Sequence, residues 1–225
     1  MDVQTEAAVR NHGQEAEQRC GSVTRCDPLD LTRCAVAVVT IRPTSADKRI
    51  ANAIASHTTP ALEQAAQVLT WGADEKVLLA LAVGAWLYAA RKPAVRPFAN
   101  HLLAVSLLSS ILPHLIKAGV NQTRPDRLTV RGHWRGVPVS GAPRDAFPSG
   151  HAVHMGAVAS AAGHLPRSGR RLTRALAVML SATRVLLLAH WTSDVLAGFL
   201  TGVLLERLIR PITMRRKQPP DAGAA

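Results

Sequence analysis

The stretch that decides the fold is residues 183–205, TRVLLLAHWTSDVLAGFLTGVLL, where an arginine, a histidine and an aspartate interrupt a long aliphatic run. Apolar stretches are frequent after residue 76, and they are Val77 to Ala90, Pro97 to Ile116, Gly150 to Leu165, Leu172 to Ala189 and Val195 to Ile209. These lengths exceed those of ordinary strands, so each stretch predicts a helix. A bilayer core needs about 20 residues of helix, or roughly 17 at the short end, which leaves the first, third and fifth stretches marginal as membrane spans.

The charge of the chain is concentrated in its apolar part. The 225 residues carry 27 Lys and Arg against 15 Asp and Glu, a net charge of +12. Residues 1–76 hold 8 basic and 10 acidic side chains, whereas residues 77–225 hold 19 basic and 5 acidic ones. A soluble nucleic-acid binder would place its basic groups along a polar face, so we expect no nucleic acid as partner. The distribution is typical of a membrane protein with cationic loops.

The basic residues between the stretches predict which ends of the helices face the cytoplasm. They follow the first, third and fifth stretches and therefore fall on one side of a serpentine bundle: Arg91, Lys92 and Arg96; Arg167, Arg170, Arg171 and Arg174; Arg207, Arg210, Arg215, Arg216 and Lys217. By the positive-inside tendency this side is cytoplasmic. We therefore expect the connection 117–149 and the turn from His190 to Asp194 to lie on the extracytoplasmic side.

Small residues four positions apart favour close contact between the predicted helices. Gly198 pairs with Gly202 in this way, and Gly156 pairs with Ser160. Such spacing suits helix packing in lipid, although glycines pack equally well in any helical core.

The N-terminal part of the chain differs from the apolar part. Residues 1–45 are polar and mixed in charge, and they predict a poorly ordered tail, with the alternative that Cys34 to Ile41 forms a short strand or a helical turn. The apolar run Ala35 to Ile41 is too short for a secretory signal. The three cysteines, Cys20, Cys26 and Cys34, do not have the spacing of a zinc site.

The periodicity of the remaining residues completes the predicted architecture. Residues 46–72 place apolar side chains at helical spacing, broken near Pro60, which predicts amphipathic helices at a membrane surface. We expect an all-α, membrane-embedded helical bundle of about five to six helices over residues 46–210. The polar tail of residues 1–45 precedes it, and a basic tail of residues 211–225 follows.

Lys117 and Arg124 form the first of three polar motifs on the predicted extracytoplasmic side. Pro125 disfavours helix at Arg124, so we expect this arginine where the preceding helix gives way to a loop. The planar fork of arginine and the compact charge of lysine together suit the binding of phosphate. Alternatively, both are helix-end cations that face lipid headgroups.

The second motif is Pro148, Ser149, Gly150 and His151, directly before an apolar helix. Ser149 is a good N-cap residue, and the free amides and positive dipole end of a helix start bind anions. Ser149 and Gly150 can thus hold phosphate through main-chain N–H groups beside His151, unless Ser149 is a simple cap and His151 is incidental. His154 would share a face with His151, but a third metal ligand is not evident in the sequence, so we expect no metal.

The third motif comprises Arg184, His190 and Asp194. An arginine inside an apolar run is expensive unless it serves a partner or faces water. If the helix continued through this stretch, His190 and Asp194 would be one turn apart, so the carboxylate could hydrogen-bond one imidazole nitrogen and leave the other free as a nucleophile. The alternative is that Asp194 only caps the last helix.

Together these residues resemble the type 2 phosphatidic acid phosphatase superfamily, which includes membrane lipid phosphatases, bacterial class A acid phosphatases and vanadium haloperoxidases. Its three motifs read KxxxxxxRP, PSGH and SRxxxxxHxxxD, and this chain matches them at Lys117, Arg124, Pro125, Pro148 to His151, Arg184, His190 and Asp194. The one departure is Thr183, which stands where the family has serine and keeps a hydroxyl.

The resemblance implies a role for each matching residue. His190 would attack phosphorus to form a phosphohistidine, Asp194 would orient its ring, and His151 would protonate the leaving oxygen and later activate water. Lys117, Arg124, Arg184, Ser149 and Gly150 would hold the phosphoryl oxygens. Neither a metal nor another cofactor is implied.

The sequence therefore predicts an integral membrane phosphatase that hydrolyses a phosphate or diphosphate on a lipid or polyprenyl carrier at the extracytoplasmic face of the cell membrane. Phosphatidate, phosphatidylglycerol phosphate and polyprenyl diphosphate all stay open as substrates. One alternative is a vanadate-dependent oxidase that uses the same pocket. Another is a non-enzymatic membrane protein that binds anionic lipid, which would explain the charge but not the spacing of the histidines.

Overall fold

A computed structural model of the chain describes residues 39–125 and 145–214. Helices make up most of this part, and they are α1 (Ser45–His57), α2 (Pro60–Thr70), α3 (Glu75–Ala89), α4 (Arg96–Gly119), α5 (Gly150–Ala161), α6 (Arg167–Leu186) and α7 (Thr192–Thr213). Short 3-10 turns follow α2 and α5. The prediction of an all-α fold is confirmed, and each of the five apolar stretches forms a helix.

The ends of the expected helical domain differ slightly from the prediction. Helix α7 runs to Thr213 and so takes up the first residues of the expected basic tail. At the other end, Val39–Thr40 form strand β1, which agrees with the alternative of a short strand in that region. The three cysteines, like all of residues 1–38 and 215–225, lie outside the described residues.

The starts of α1, α2 and α3 follow ordinary capping chemistry. Thr44 and Asp47 form a capping box at α1, in which each side chain accepts a hydrogen bond from the other residue's backbone N–H. Thr59 caps α2, and Pro60 occupies its first turn, where a missing N–H does no harm. The predicted break at Pro60 is therefore the start of the second amphipathic helix. Asp74 caps α3.

Helices α5 and α7 cross at three glycines, which confirms the predicted close helix contact. A Cβ atom at Gly156 would collide with the carbonyl of Phe199, and one at Gly202 would collide with the carbonyl of Val153. At Gly198 a Cβ would lie 2.6 Å from the carbonyl oxygen of Ser149. The backbones thus approach closely because these positions have no side chain, and this approach brings the start of α7 beside the start of α5.

The outer faces of the bundle are apolar. Helix α7 directs a row of side chains outward that are 58–74% exposed, namely Leu196, Leu200, Leu204, Leu208 and Ile212. Within residues 39–125 and 145–214, α4 is the one helix that is both long and apolar enough to cross a membrane. Helices α3 and α5 have only 15 and 12 residues, and α6 and α7 carry more charged residues, so the expected five spans are not all long, uncharged helices.

A short parallel pair of strands ties the N-terminal segment to the end of α4. Strand β1 pairs with β2, Val120–Asn121, with Val39 opposite Val120 and Thr40 opposite Asn121. On its other side this segment meets the residues before α5, where the Ala146 N–H donates to the Gln122 carbonyl at 3.1 Å. The chain that leads into Arg124 is therefore held from two sides.

Candidate active site

The turn between α6 and α7 carries His190. Helix α6 ends in a Schellman motif, in which the Leu188 N–H donates to the Val185 carbonyl at 2.9 Å and the Ala189 N–H donates to the Arg184 carbonyl at 3.0 Å. Leu188 adopts a left-handed φ of 53°, a conformation that usually favours glycine. The chain reverses at this residue. His190 therefore lies in a turn, as the sequence predicts, and the helix does not continue through it, so His190 does not share a helical face with Asp194.

The His190 ring is buried and held at one nitrogen. Its Nδ1 lies 2.7 Å from the carbonyl oxygen of Ala146, which can only accept. Nδ1 must then carry the proton in this hydrogen bond, and Nε2 of a neutral ring keeps a free lone pair. Burial, together with the positive charges of Arg184, Arg124 and Lys117, holds the pKa of His190 well below its usual range. The ring is thus a neutral base at physiological pH.

Asp194 does not contact the ring in the way the sequence suggested. Its Oδ2 accepts the Trp191 N–H at 3.0 Å, at the start of α7. The described structure has no hydrogen bond between this carboxylate and His190, because the carbonyl of Ala146 occupies that nitrogen. Asp194 instead stabilises the turn. Trp191 belongs to the same turn, and its indole N–H donates to the Thr123 carbonyl at 2.7 Å.

Lys117 and Arg124 converge on Asp145, a residue that the sequence analysis missed. Arg124 donates to Asp145 Oδ1 through Nη2 at 2.9 Å and through Nε at 3.2 Å. Lys117 Nζ lies 3.7 Å from the other carboxylate oxygen. Arg124 also donates to the Ala189 carbonyl at 3.1 Å, which fixes it next to His190. Asp145 stands between Arg144 and Ala146 in the sequence, within no pattern that would have revealed it.

Arg184 is the least compensated of the three cations. Arg184 is 5% exposed, and its Nη1 donates to the Thr70 hydroxyl at 3.4 Å. Its buried Nε has no hydrogen-bond partner, and no carboxylate forms a salt bridge with it, in the part of the chain that the structure describes. A buried guanidinium without a counter-ion is costly. The position is therefore suited to an anionic ligand.

Ser149 and Gly150 stand at the start of α5, as predicted, but their groups are used differently. The Ser149 N–H donates to the Asp194 carbonyl at 3.3 Å and is not available to a ligand. The Ser149 hydroxyl makes no capping hydrogen bond, and it is buried without a partner among the described residues. The hydroxyl, together with the first-turn amides that begin at Gly150, therefore provides the donors for an anion.

The two histidines of α5 lie in different surroundings. His151 lies in the first turn of α5 and interacts electrostatically with Arg184 and Lys117, two of the cations that also act on His190. His154 points into the helix bundle, where its ring nitrogens lie 3.1 Å from the Gly150 carbonyl and 3.3 Å from the Ser110 hydroxyl. Over residues 39–125 and 145–214, no three His, Cys, Asp or Glu side chains gather as a metal site.

Asp47 of α1 reaches this site from far away in the sequence. It is 3% exposed, and its two carboxylate oxygens accept the N–H and the hydroxyl of Ser193, each at 2.9 Å. Alanines of α1 pack against Ala146, Leu188 and Trp191, which surround His190. The capping box explained Asp47 as a local feature, so the sequence offered no sign of its contact with Ser193.

Comparison with known proteins gives a family and two curated relatives. The PAP2 superfamily matches residues 98–218, about half of the chain, and this confirms the resemblance seen in the three motifs. The lipid A 1-phosphatase of Rhizobium etli is 36% identical over 103 residues, which are 45% of this chain and 44% of that protein. The lipid A 1-phosphatase of Rhizobium johnstonii is 35% identical over 103 residues, 45% of this chain and 42% of that protein. The chain therefore spans less than half the length of both relatives.

Two solved structures share the fold. Aquifex aeolicus LpxE has a TM-score of 0.59 and 19% identity over 79% of this chain and 100% of that one. The transmembrane PAP2-type phosphatidylglycerolphosphate phosphatase of Bacillus subtilis has a TM-score of 0.54 and 25% identity over 77% of this chain and 88% of that one. Helices α1, α2 and α3 precede residues 98–218, which the family covers.

Proposed function

Because the chain belongs to the PAP2 superfamily, we propose that it is an integral membrane phosphatase that removes a phosphate or diphosphate from a lipid. The observation that carries this proposal is the buried Arg184, which forms no salt bridge with any described carboxylate and acts electrostatically on the neutral ring of His190. A phosphoryl group would supply the missing negative charge at the place where a nucleophile is available.

In the proposed mechanism the Nε2 lone pair of His190 attacks phosphorus. The P–N bond forms while the bond from phosphorus to the lipid oxygen breaks, and His151 gives a proton to that oxygen. His151 then takes a proton from water, and the water oxygen attacks phosphorus. The P–N bond breaks in this step, which restores the neutral ring of His190 and releases inorganic phosphate. Asp194 acts indirectly, since its carboxylate holds the Trp191 N–H and so the turn that presents His190.

The charge of the transition state would be stabilised by groups that the fold already holds in place. Lys117, Arg124 and Arg184 all act electrostatically on the His190 ring, and the Ser149 hydroxyl and the amides from Gly150 onward add donors. We propose that these fixed cations and dipoles make a metal ion unnecessary. When phosphate enters, Lys117 and Arg124 would exchange part of their contact with Asp145 for the phosphoryl oxygens.

The proposed substrate is a phosphorylated lipid rather than a soluble ester. The exposed leucine row of α7 supports a bilayer around the bundle. The names of the relatives and of the Bacillus subtilis structure make lipid A 1-phosphate and phosphatidylglycerol phosphate the first substrates to test, with polyprenyl diphosphate as a third. The positive-inside tendency favours the extracytoplasmic side for the site, and we include that side in the proposal.

The decisive assay measures phosphate release from these three lipids by the purified protein in detergent with EDTA. We expect turnover by the unmodified chain and, for His190→Ala, a loss of at least about 10³-fold. His57→Ala removes an exposed histidine of α1 and should leave the rate unchanged. Normal turnover by His190→Ala would refute the assigned nucleophile, and strict dependence on an added divalent metal would refute metal independence.

A further inference from the structure

A cleft lies between α5, α6 and α7, at the end of the bundle away from His190. Its volume is about 420 Å³. Three arginines line it, Arg174, Arg207 and Arg210, and we call it the arginine cleft. Its apolar wall includes Val178, Phe199 and Val203.

The arginine cleft is separate from the candidate active site. Arg207 follows Asp194 by 13 residues of the same helix, which corresponds to about 20 Å along its axis. Arg174 precedes Arg184 by ten residues of α6, or about 15 Å. A phosphoryl group bound at His190 therefore cannot also fill this cleft.

One of the three arginines is fixed by a buried carboxylate. Arg210 donates to both oxygens of Glu206, through Nε at 2.9 Å and through Nη2 at 2.7 Å, and Nη2 also donates to the Ser160 carbonyl at 3.2 Å. Glu206 is fully buried, accepts the Ser160 hydroxyl at 2.6 Å and lies 3.0 Å from the His101 ring. This network holds the guanidinium of Arg210 in one orientation at the cleft.

The other two arginines have guanidinium N–H groups that form no hydrogen bond with the described residues. Arg174 uses Nε for the Ala159 carbonyl at 3.2 Å, which anchors the side chain and leaves its terminal nitrogens for another partner. Arg207 is exposed and forms no salt bridge with any described residue. Glu206 neutralises one of three guanidinium charges, so the arginine cleft keeps two uncompensated positive charges in the part of the chain that is described.

We propose that the arginine cleft binds the phosphate of an anionic membrane phospholipid, with an acyl chain against Val178, Phe199 and Val203. The arginine pair supplies the charge-assisted hydrogen bonds that a phosphodiester accepts, and the apolar wall continues into the exposed apolar surface of α6 and α7. The ligand is therefore a lipid of the leaflet opposite the candidate active site. This inference does not rest on the proposed phosphatase activity.

The test measures lipid binding by native mass spectrometry of the full chain in detergent. The probe is phosphatidylglycerol, whose phosphodiester has no terminal phosphoryl group for the candidate active site. We expect R174Q/R207Q to bind this lipid roughly tenfold to thirtyfold more weakly than the unmodified chain. R167Q/R171Q is the matched control, because it removes two exposed charges from α6 outside the arginine cleft, and its binding should change less than about twofold.

Two further arms separate the possible origins of a signal. R174K/R207K keeps the charge without the planar fork and should recover part of the binding, which distinguishes a lost site from a damaged fold. Phosphatidylcholine and free glycerol phosphate should both bind more weakly than phosphatidylglycerol to the unmodified chain. Equal losses in R174Q/R207Q and R167Q/R171Q, or binding of glycerol phosphate as tight as that of the lipid, would overturn the proposal.

Discussion

At the scale of single residues, the candidate site depends on a neutral His190 within a group of positive charges. The same cations that would bind phosphate lower the pKa of this histidine, so its Nε2 stays deprotonated to a lower pH than in a free histidine. The acid limb of the kcat/KM profile reports a pKa of the free enzyme. We therefore expect the limb that belongs to His190 to lie below pH 6.5.

The charge of Arg184 has two expected effects, stabilisation of the transition state and a lower pKa of His190, and replacing Arg184 tests both. Arg184→Gln should lower kcat about 10²–10³-fold through loss of transition-state stabilisation. It should also move the acid limb toward higher pH, since a positive neighbour of His190 is gone. The comparison uses one substrate for both proteins, so the titration of the substrate cancels. An acid limb at the same pH in both proteins would contradict the assigned interaction.

Asp47 is the residue whose importance is least visible in the sequence. Asp47→Asn keeps one acceptor oxygen but weakens the two hydrogen bonds that hold Ser193, so the turn with His190 loses part of its support. We expect kcat to fall about tenfold with little change in KM, as for a small displacement of a catalytic group. Thr44→Ala is the control, because it weakens the same capping box and leaves the contact with Ser193 intact. A similar fall in Thr44→Ala would mean that Asp47 acts only by stabilising α1.

At the scale of helices, the crossing of α5 and α7 sets the distance between the second and third motifs. Gly202→Ala would drive a Cβ into the carbonyl of Val153, and overpacking of this kind costs about 1–3 kcal/mol. Gly84→Ala in α3 meets nothing within 4 Å and should stabilise by about 0.5–1 kcal/mol through helix propensity. Thermal unfolding in detergent should show a lower Tm for Gly202→Ala and a higher Tm for Gly84→Ala than for the unmodified chain. Equal changes of Tm in the two variants would exclude close packing at Gly202 as the cause of the destabilisation.

The end of α6 shows where periodicity stopped being informative. The apolar stretch Leu172 to Ala189 predicts helix up to Ala189, but the structure reverses the chain at Leu188. A glycine there would have predicted the Schellman motif, whereas leucine carries no such signal. Leu188 takes this conformation with its side chain buried against Ala146 and Trp191, and such packing depends on residues distant in the sequence.

At the scale of the whole molecule, the outward leucines predict how the protein is attached to the membrane. Side chains such as Leu200 and Leu204 are more than half exposed. Apolar contact between these side chains and lipid would therefore hold the protein in the membrane, in addition to the attraction of its basic residues to anionic lipid. We expect the protein to stay in the membrane pellet after washes with 1 M NaCl and with carbonate at about pH 11. Release by salt alone would indicate attachment by charge at the surface.

The sequence by itself determined the helices, their capping residues and the three polar motifs, because these depend on periodicity and on spacing within short segments. It also determined the family, since three motifs at matching distances are specific. Only the tertiary structure decided which atoms orient His190, why Asp194 caps a helix, and that Asp47 and Asp145 belong to the site. These contacts join residues from 21 to 146 positions apart, and they depend on the course of turns whose conformation is set by packing rather than by local preference.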